Sequence, residues 1–254
     1  MGKIIAVVNQ KGGVGKTTTA VNLAAALGLA DKKTLLVDID PQGNSTSGYG
    51  ISKRGLTNSI YELLIGKIGV KDAIVKTKFR YVDIIPANIN LSGAEVELVD
   101  FPEREYCFKK AIAAVKDEYD YILLDCPPSL GIITVNALCA ADSVLVPIQC
   151  EYFALEGLSQ LMNTVRQIKR TCNPNIEIEG VLFTMYDGRL NLTQQVAKEI
   201  KKFFPQKVFG SAIPRSVRMS EAPSYGEPVI YYDKWSKGSF AYKELAKEII
   251  KNNK

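Results

Sequence analysis

Nearly continuous apolar runs alternate with amphipathic stretches along almost all of this 254-residue chain. Runs at 4–9, 34–38, 81–85, 120–125, 143–147 and 179–185 read as strands. Most lack polar alternation, which marks a parallel sheet buried on both faces. Between them, helical spacing predicts helices at 16–29, 57–64, 104–117, 131–140, 153–171 and 191–203. A last helix over 239–251 would take Ser239 as its N-cap. Strand–helix alternation of this kind implies an α/β fold, doubly wound, with a mainly parallel sheet flanked by helices on both faces. Sites in such folds lie at the carboxyl ends of the strands. No repeat, low-complexity tract or Pro/Gly/Ser linker interrupts the pattern, so a single domain over 1–254 is expected.

Three segments should meet at that edge. The first strand runs into Lys11-Gly12-Gly13-Val14-Gly15-Lys16-Thr17-Thr18, which opens the next helix. A glycine-rich turn there aims backbone N–H groups and the positive helix end at one spot, where a di- or triphosphate fits. Lys16 would neutralise β and γ oxygens, and the Thr17 hydroxyl would hold Mg²⁺. The usual phosphate loop has glycine where this chain has Gln10, and Lys11 is an additional lysine. The second segment is Leu35-Leu36-Val37-Asp38-Ile39-Asp40-Pro41-Gln42-Gly43-Asn44. If the strand stays extended, Asp38 and Asp40 share a side, and Asp40, further out, suits an attacking water better. The third is Tyr121-Ile122-Leu123-Leu124-Asp125-Cys126-Pro127-Pro128-Ser129. An apolar strand ending in Asp125 suits a Mg²⁺-holding carboxylate acting through water. Cys126 reads as a packed thiol.

Composition narrows the chemistry. The chain has no histidine, so general bases and metal ligands of that type are excluded. Its five cysteines, odd in number and without a C-x-x-C pair, argue for a reducing cytosol and against a disulfide framework or zinc site. No apolar run reaches transmembrane length, and the start of the chain shows no signal peptide. The net charge of +5 is unevenly placed: residues 186–254 carry 13 Lys/Arg against 7 Asp/Glu, and the rest carries 19 against 20. A basic last quarter suggests a polyanion-binding surface.

Taken together, the three motifs resemble the deviant Walker A ATPases, and within them the short ParA/Soj chromosome-partitioning proteins. Ile213-Pro214-Arg215-Ser216-Val217-Arg218-Met219-Ser220-Glu221-Ala222-Pro223-Ser224 is also similar to that family. The resemblance implies a P-loop NTPase that binds ATP and Mg²⁺ and forms an ATP-dependent homodimer. Lys11 would reach the partner's ATP, with Gly12 as the close-approach position. Lys11, Lys16 and Asp40 would serve hydrolysis, and Thr17, Asp125 and Asp40 the metal. Gly12, Gly13, Val14, Gly15, Lys16, Thr17 and Thr18 would cradle phosphates. Pro214, Arg215 and Ser216 would pack against adenine, although the family often has Asn where this chain has Ser216. A trans lysine compares with an arginine finger, worth roughly 10³–10⁵ in rate.

The resemblance also implies non-specific double-stranded DNA binding by the ATP dimer, with Arg189 and Arg218 as contacts. A ParB/Spo0J-like centromere-binding protein would stimulate hydrolysis, and the location would be cytoplasmic and nucleoid-associated. Lys198, Lys201, Lys202, Lys234, Lys237, Lys247 and Lys251 join the DNA candidates on charge alone. The alternative is a MinD-like ATPase that binds membrane through its last helix, which carries Phe240, Leu245, Ile249 and Ile250 beside lysines. That helix reads more easily as a cover for the sheet, so no stable membrane anchor is expected. A shared iron–sulfur cluster, as in the nitrogenase iron protein, is disfavoured by the contexts of Cys126 and Cys139. A scaffold without turnover is disfavoured by Lys11 and Asp40. Plasmid-type relatives add an N-terminal helix-turn-helix; with the phosphate loop beginning at residue 11, specific operator binding is not expected.

Overall fold

The computed structural model describes residues 2–253. Its strands are β1 (Lys3–Val7), β2 (Thr34–Asp38), β3 (Val75–Lys76), β4 (Val82–Ile85), β5 (Tyr121–Asp125), β6 (Ser143–Gln149), β7 (Glu177–Tyr186) and β8 (Val208–Pro214). They form one eight-stranded sheet in the order β3-β4-β2-β5-β1-β6-β7-β8. Only the short edge strand β3 pairs antiparallel.

Helices cover both faces. In chain order they are α1 (Lys16–Leu29), α2 (Asn44–Gly48), α3 (Ile60–Leu64), α4 (Val70–Ala73), α5 (Leu91–Glu97), α6 (Cys107–Ile112), α7 (Ile132–Ala140), α8 (Ala154–Thr171), α9 (Asn191–Phe203), α10 (Val217–Glu221), α11 (Val229–Tyr232) and α12 (Lys237–Asn252). Successive side chains of a strand point to opposite faces. Ile4, Ala6 and Val8 accordingly join Phe108, Leu138 and Leu161 in one core. Ile5 and Val7 join Leu23, Leu27, Leu245 and Ile249 in the other. Each fully buried Leu or Ile contributes roughly 1.5–3 kcal/mol.

The six expected strands and most expected helices are present, with three corrections. The stretch 104–117 is not one helix: a 3-10 turn at Arg104–Tyr106 leads into α6, and a second 3-10 turn follows at Lys116–Glu118. The backbone leaves the helical region at Val115, where φ is −124°. The N-cap of α12 is Ser236, whose hydroxyl accepts from the Ser239 N–H at 3.2 Å. Ser239 lies inside the helix and donates to the Asp233 carbonyl at 2.6 Å. Strands β3 and β8 were not anticipated.

The apolar face of α12 is spent on the core. Tyr242, Leu245, Ala246 and Ile249 are buried against the face that α1 covers, and α12 packs on both α1 and β8. Among the described residues, no helix is long and apolar enough to cross a membrane.

Candidate active site

The register of the central strands brings the motifs together. Asp125 at the end of β5 lies opposite Val7 of β1 on one side and Asp38 of β2 on the other. The loop from Val8 to Gly15 therefore starts beside both aspartates. Two side chains fasten it to neighbouring strands. Asn9 donates from Nδ2 to the Pro147 carbonyl at 2.8 Å, and its Oδ1 accepts from the Lys11 N–H at 3.0 Å. Thr184, near the end of β7, donates to the Val14 carbonyl at 2.8 Å.

Gly13 and Gly15 have φ of 76° and 87°, a region that glycine enters without Cβ strain. Gly15 in this conformation is the N-cap of α1, so the turn delivers the chain directly into the helix. Gly12 differs. Its φ is not positive, and a Cβ built there meets nothing within 4 Å. Nothing within the described chain requires glycine at position 12.

Lys16 is buried, and its Nζ donates to the Lys11 carbonyl at 3.1 Å. Burial lowers its pKa, while Asp125 and Asp40 draw it back up. Asp38 is fully buried and accepts from both the N–H and the hydroxyl of Thr46 at 2.7 Å. Asp125 is fully buried and accepts from the Ser45 hydroxyl at 2.8 Å. Burial pushes the pKa of both carboxyls up, and each is raised further by a neighbouring aspartate. Thr17 lies beside Asp125 and, with Ser45, draws its pKa down. Even so, Asp125 Oδ1 is buried with no hydrogen-bond partner. Buried polar atoms are otherwise almost always satisfied. Facing carboxylates and an orphaned oxygen beside a hydroxyl suit a hard, oxygen-seeking cation, so the residues present fit Mg²⁺.

Of the two aspartates in the second motif, only Asp38 belongs to β2. The strand ends at Asp38, and the Asp40 N–H turns back to Asp38 Oδ1 at 3.3 Å. Asp40 stays near enough to act electrostatically on Asp38, Asp125 and Lys16. Asp40 lies past the strand end, partly exposed, with Oδ1 accepting from the Gln42 N–H at 2.9 Å. Cys126 is buried, and burial holds its thiol pKa well above the usual value.

Beside the loop lies a cavity of about 410 Å³. Gly13, Gly15, Thr18, Thr184, Met185, Ile213, Pro214, Arg215 and Ser216 are among the residues that line it. Met185 has φ of 49°, unusual for a residue with a long side chain. Backbone of this kind costs on the order of 1–3 kcal/mol and collects at ligand sites.

The remaining candidates lie outside this cleft. Lys11 pairs through Nζ with Glu151 Oε2 at 2.5 Å. Arg189 is 89% exposed and bidentate on Asp187, with contacts of 2.9 and 2.7 Å. Arg218 pairs with Glu221 at 2.9 Å and with Asp233 at 3.4 Å. Lys202 and Lys247 pair with Glu199 and Glu244 on their own helices. Sequence reasoning missed Asn9, Ser45, Thr46, Glu151 and Thr184. Of these, Ser45 and Thr46 carry a signal, being hydroxyls just after the polar loop of the second motif.

Residues 2–178 match a family model described as an AAA domain. The sporulation initiation inhibitor protein Soj of Bacillus subtilis is 57% identical over 252 residues, 99% of this chain and 100% of that protein. The chromosome partitioning protein ParA of Myxococcus xanthus is 51% identical over 253 residues, covering 100% and 89%. This chain belongs to the ParA/Soj chromosome-partitioning family. Among solved structures, cobyrinic acid a,c-diamide synthase from Mycobacterium smegmatis, with bound ATP analog and magnesium, superposes with a TM-score of 0.87. It is 36% identical and covers 99% of this ParA/Soj-family chain and 96% of its own.

Proposed function

We propose that this chain is an ATP-hydrolysing switch that partitions chromosomes or plasmids. Its ATP-bound homodimer binds DNA without sequence preference, and a ParB-like partner stimulates hydrolysis and release. The observation that carries the nucleotide reading is the buried, unpartnered Asp125 Oδ1 beside Thr17 and Lys16. Membership of the family supports the partitioning role. The single sheet supports reading 1–254 as one domain.

In this reading the backbone from Gly12 to Thr18 cradles the phosphates, and Lys16 neutralises their charge from below. Thr17 and Asp125, with Asp40 nearby, would hold Mg²⁺, which would supply charge neutralisation to the phosphates. Asp40, beyond the end of β2, orients the attacking water. Pro214, Arg215 and Ser216 line the cavity that takes the adenosine. Lys11 leaves Glu151 to serve the partner's ATP, and the open space at Gly12 admits the partner's backbone. ATP binding, dimerisation and hydrolysis then become linked equilibria.

Dimerisation doubles the phosphate contacts offered by Arg189, Arg218 and the nearby lysines. Counterion release makes such binding steeply salt-dependent, with a slope of about −0.9 per phosphate contacted. The expected location is the cytoplasm, on the nucleoid. Co-sedimentation with ATP, against plasmid DNA and against anionic liposomes, tests the reading. DNA should pellet with the parent protein and not with Lys16→Ala. Liposome binding in place of DNA binding would overturn it in favour of a MinD-like role.

A further inference from the structure

All five cysteines of the chain are free, yet two of them meet. Cys139 lies at the end of α7 and is fully buried, while Cys172 directly follows α8 and is half-buried. Their side chains are in hydrogen-bonding contact. The surrounding backbone holds them there. Asn173, next to Cys172, donates from Nδ2 to the Leu138 carbonyl at 2.9 Å and to the Ala141 carbonyl at 2.7 Å. These two bonds bracket Cys139. The Tyr106 hydroxyl donates to the Cys172 carbonyl at 3.3 Å. The approach of the two thiols is therefore built into the junction of α7 and α8.

The two sulfurs differ in access. Thr171 gives its hydroxyl proton to the Gln167 carbonyl at 3.0 Å, which leaves its oxygen to accept from the Cys172 thiol 3.2 Å away. That arrangement is on the exposed side of the junction. Cys139 instead lines a small cavity of about 180 Å³ with Lys109, Lys116, Asp142 and Asn175. The cavity has room for a solute little larger than water. Burial and the bond to Cys172 push the Cys139 thiol up to about 12, so it stays protonated at neutral pH.

We propose that Cys139 and Cys172 form a reversible oxidation site, closed to a disulfide by hydrogen peroxide. Cys172, the more accessible sulfur, reacts first. Its thiolate attacks one peroxide oxygen, the O–O bond breaks, and the departing hydroxide takes up the Cys172 proton as water. A sulfenic acid remains on Cys172. The Cys139 sulfur then attacks that sulfur, the S–S bond forms, the S–O bond breaks, and hydroxide leaves with the Cys139 proton as a second water. Two electrons pass from the two thiols to one peroxide, and a thiol reductant returns them. A bond of this kind is a transient modification, compatible with a reducing cytosol, and not a structural framework.

The disulfide ties the end of α7 to the end of α8 at the amino edge of the sheet. Asp142, just beyond α7, accepts there from the Ile4 N–H at the start of β1 at 2.8 Å. The nucleotide cleft lies at the opposite edge. Closing the bond should stiffen the fold and leave nucleotide affinity unchanged.

The test treats the full chain with sub-millimolar hydrogen peroxide at neutral pH. Thiol titration after unfolding should show two of the five thiols lost. Peptide mapping should find the Cys139 and Cys172 peptides joined, and dithiothreitol should restore both thiols. The oxidised parent should melt several degrees higher, whereas Cys172→Ser and Cys139→Ala should show neither the bond nor the shift. Cys139 is buried, so should its variant fail to fold, the half-buried Cys172→Ser decides alone. Affinity for ADP with Mg²⁺ should stay within twofold on oxidation. A disulfide joining Cys172 of two chains, Cys172 carried to sulfinic acid beside a free Cys139, or the same thiol loss in Cys172→Ser would overturn the proposal. So would loss of the Cys126 thiol together with ADP binding, which would place the reactive sulfur in the cleft.

Discussion

Lys11 and Glu151 form an ion pair that closes the phosphate loop against the chain just beyond β6. The lysine that distinguishes this loop is held by its own subunit. Reaching a second subunit means giving up this pair. Both side chains are nearly half exposed, at 44% and 45%, so the pair is worth only about 0.2–1 kcal/mol. Glu151→Ala should therefore favour the ATP-bound dimer modestly, lowering its dissociation constant by up to about fivefold. Analytical ultracentrifugation with a non-hydrolysable ATP analogue measures this. A weaker dimer would mean that Glu151 acts within the assembled interface instead.

Gly12→Val should separate folding from assembly. Its Cβ meets open space and its φ is ordinary, so unfolding stability should change by no more than about 0.5 kcal/mol. Nucleotide binding by the monomer should persist, while ATP-dependent dimers disappear. Thermal melts with and without ATP, followed by size-exclusion chromatography, read both parts. Loss of the folded monomer would place the constraint within the subunit.

Thr184→Val keeps the side-chain shape and deletes the tether to the Val14 carbonyl. A lost hydrogen bond of this kind costs about 0.5–1.5 kcal/mol. Because the tether supports the cradle rather than the core, much of that cost should appear as weaker nucleotide binding. Isothermal titration with ADP and Mg²⁺ should show affinity reduced roughly two- to tenfold. Unchanged affinity would show that the Asn9 link to β6 is sufficient alone.

The Asp187–Arg189 pair offers a titration signal. Hydrogen bonds from Arg189 lower the Asp187 carboxyl to about 2. A depressed acid favours the fold at pH above its unfolded value, and the contribution fades as pH falls through about 2. Carbon-detected NMR should find the Asp187 midpoint there and see it rise toward 4 in Arg189→Ala. If Arg189 moves onto a DNA phosphate, saturating DNA should also raise the midpoint and reduce the pairing shift. A midpoint indifferent to DNA, with an unchanged salt slope for Arg189→Ala, would remove this contact.

Much of the frame was legible because buried parallel strands need apolar runs and helices need their own periodicity. β2, α1 and α9 fall where that logic puts them. β8 escaped because it is half exposed and carries Gly210 and Ser211 in place of an apolar run. β3 escaped because two residues make no pattern. The glycine-rich turn was legible because one local stretch of chain makes it, as at Gly13 to Gly15. The site was illegible where distant residues supply the support. Ser45 reaches Asp125 across 80 residues, and Thr184 reaches Val14 across 170. Glu151 was invisible for the same reason, and it alone reveals where Lys11 rests.

The end of β7 carries one more implication. Thr184 grips the phosphate loop, Met185 lines the neighbouring cavity with its φ of 49°, and Asp187 and Arg189 form the turn just beyond. Tyr186, between them, stacks on Phe183 of the same strand with ring centroids 5.8 Å apart. In the proposed reading, the nucleotide cavity and the DNA-contacting turn thus share one short piece of chain. A switch built this way passes the state of the cavity to the turn at Asp187 and Arg189 through a handful of peptide units, without a relay through the core.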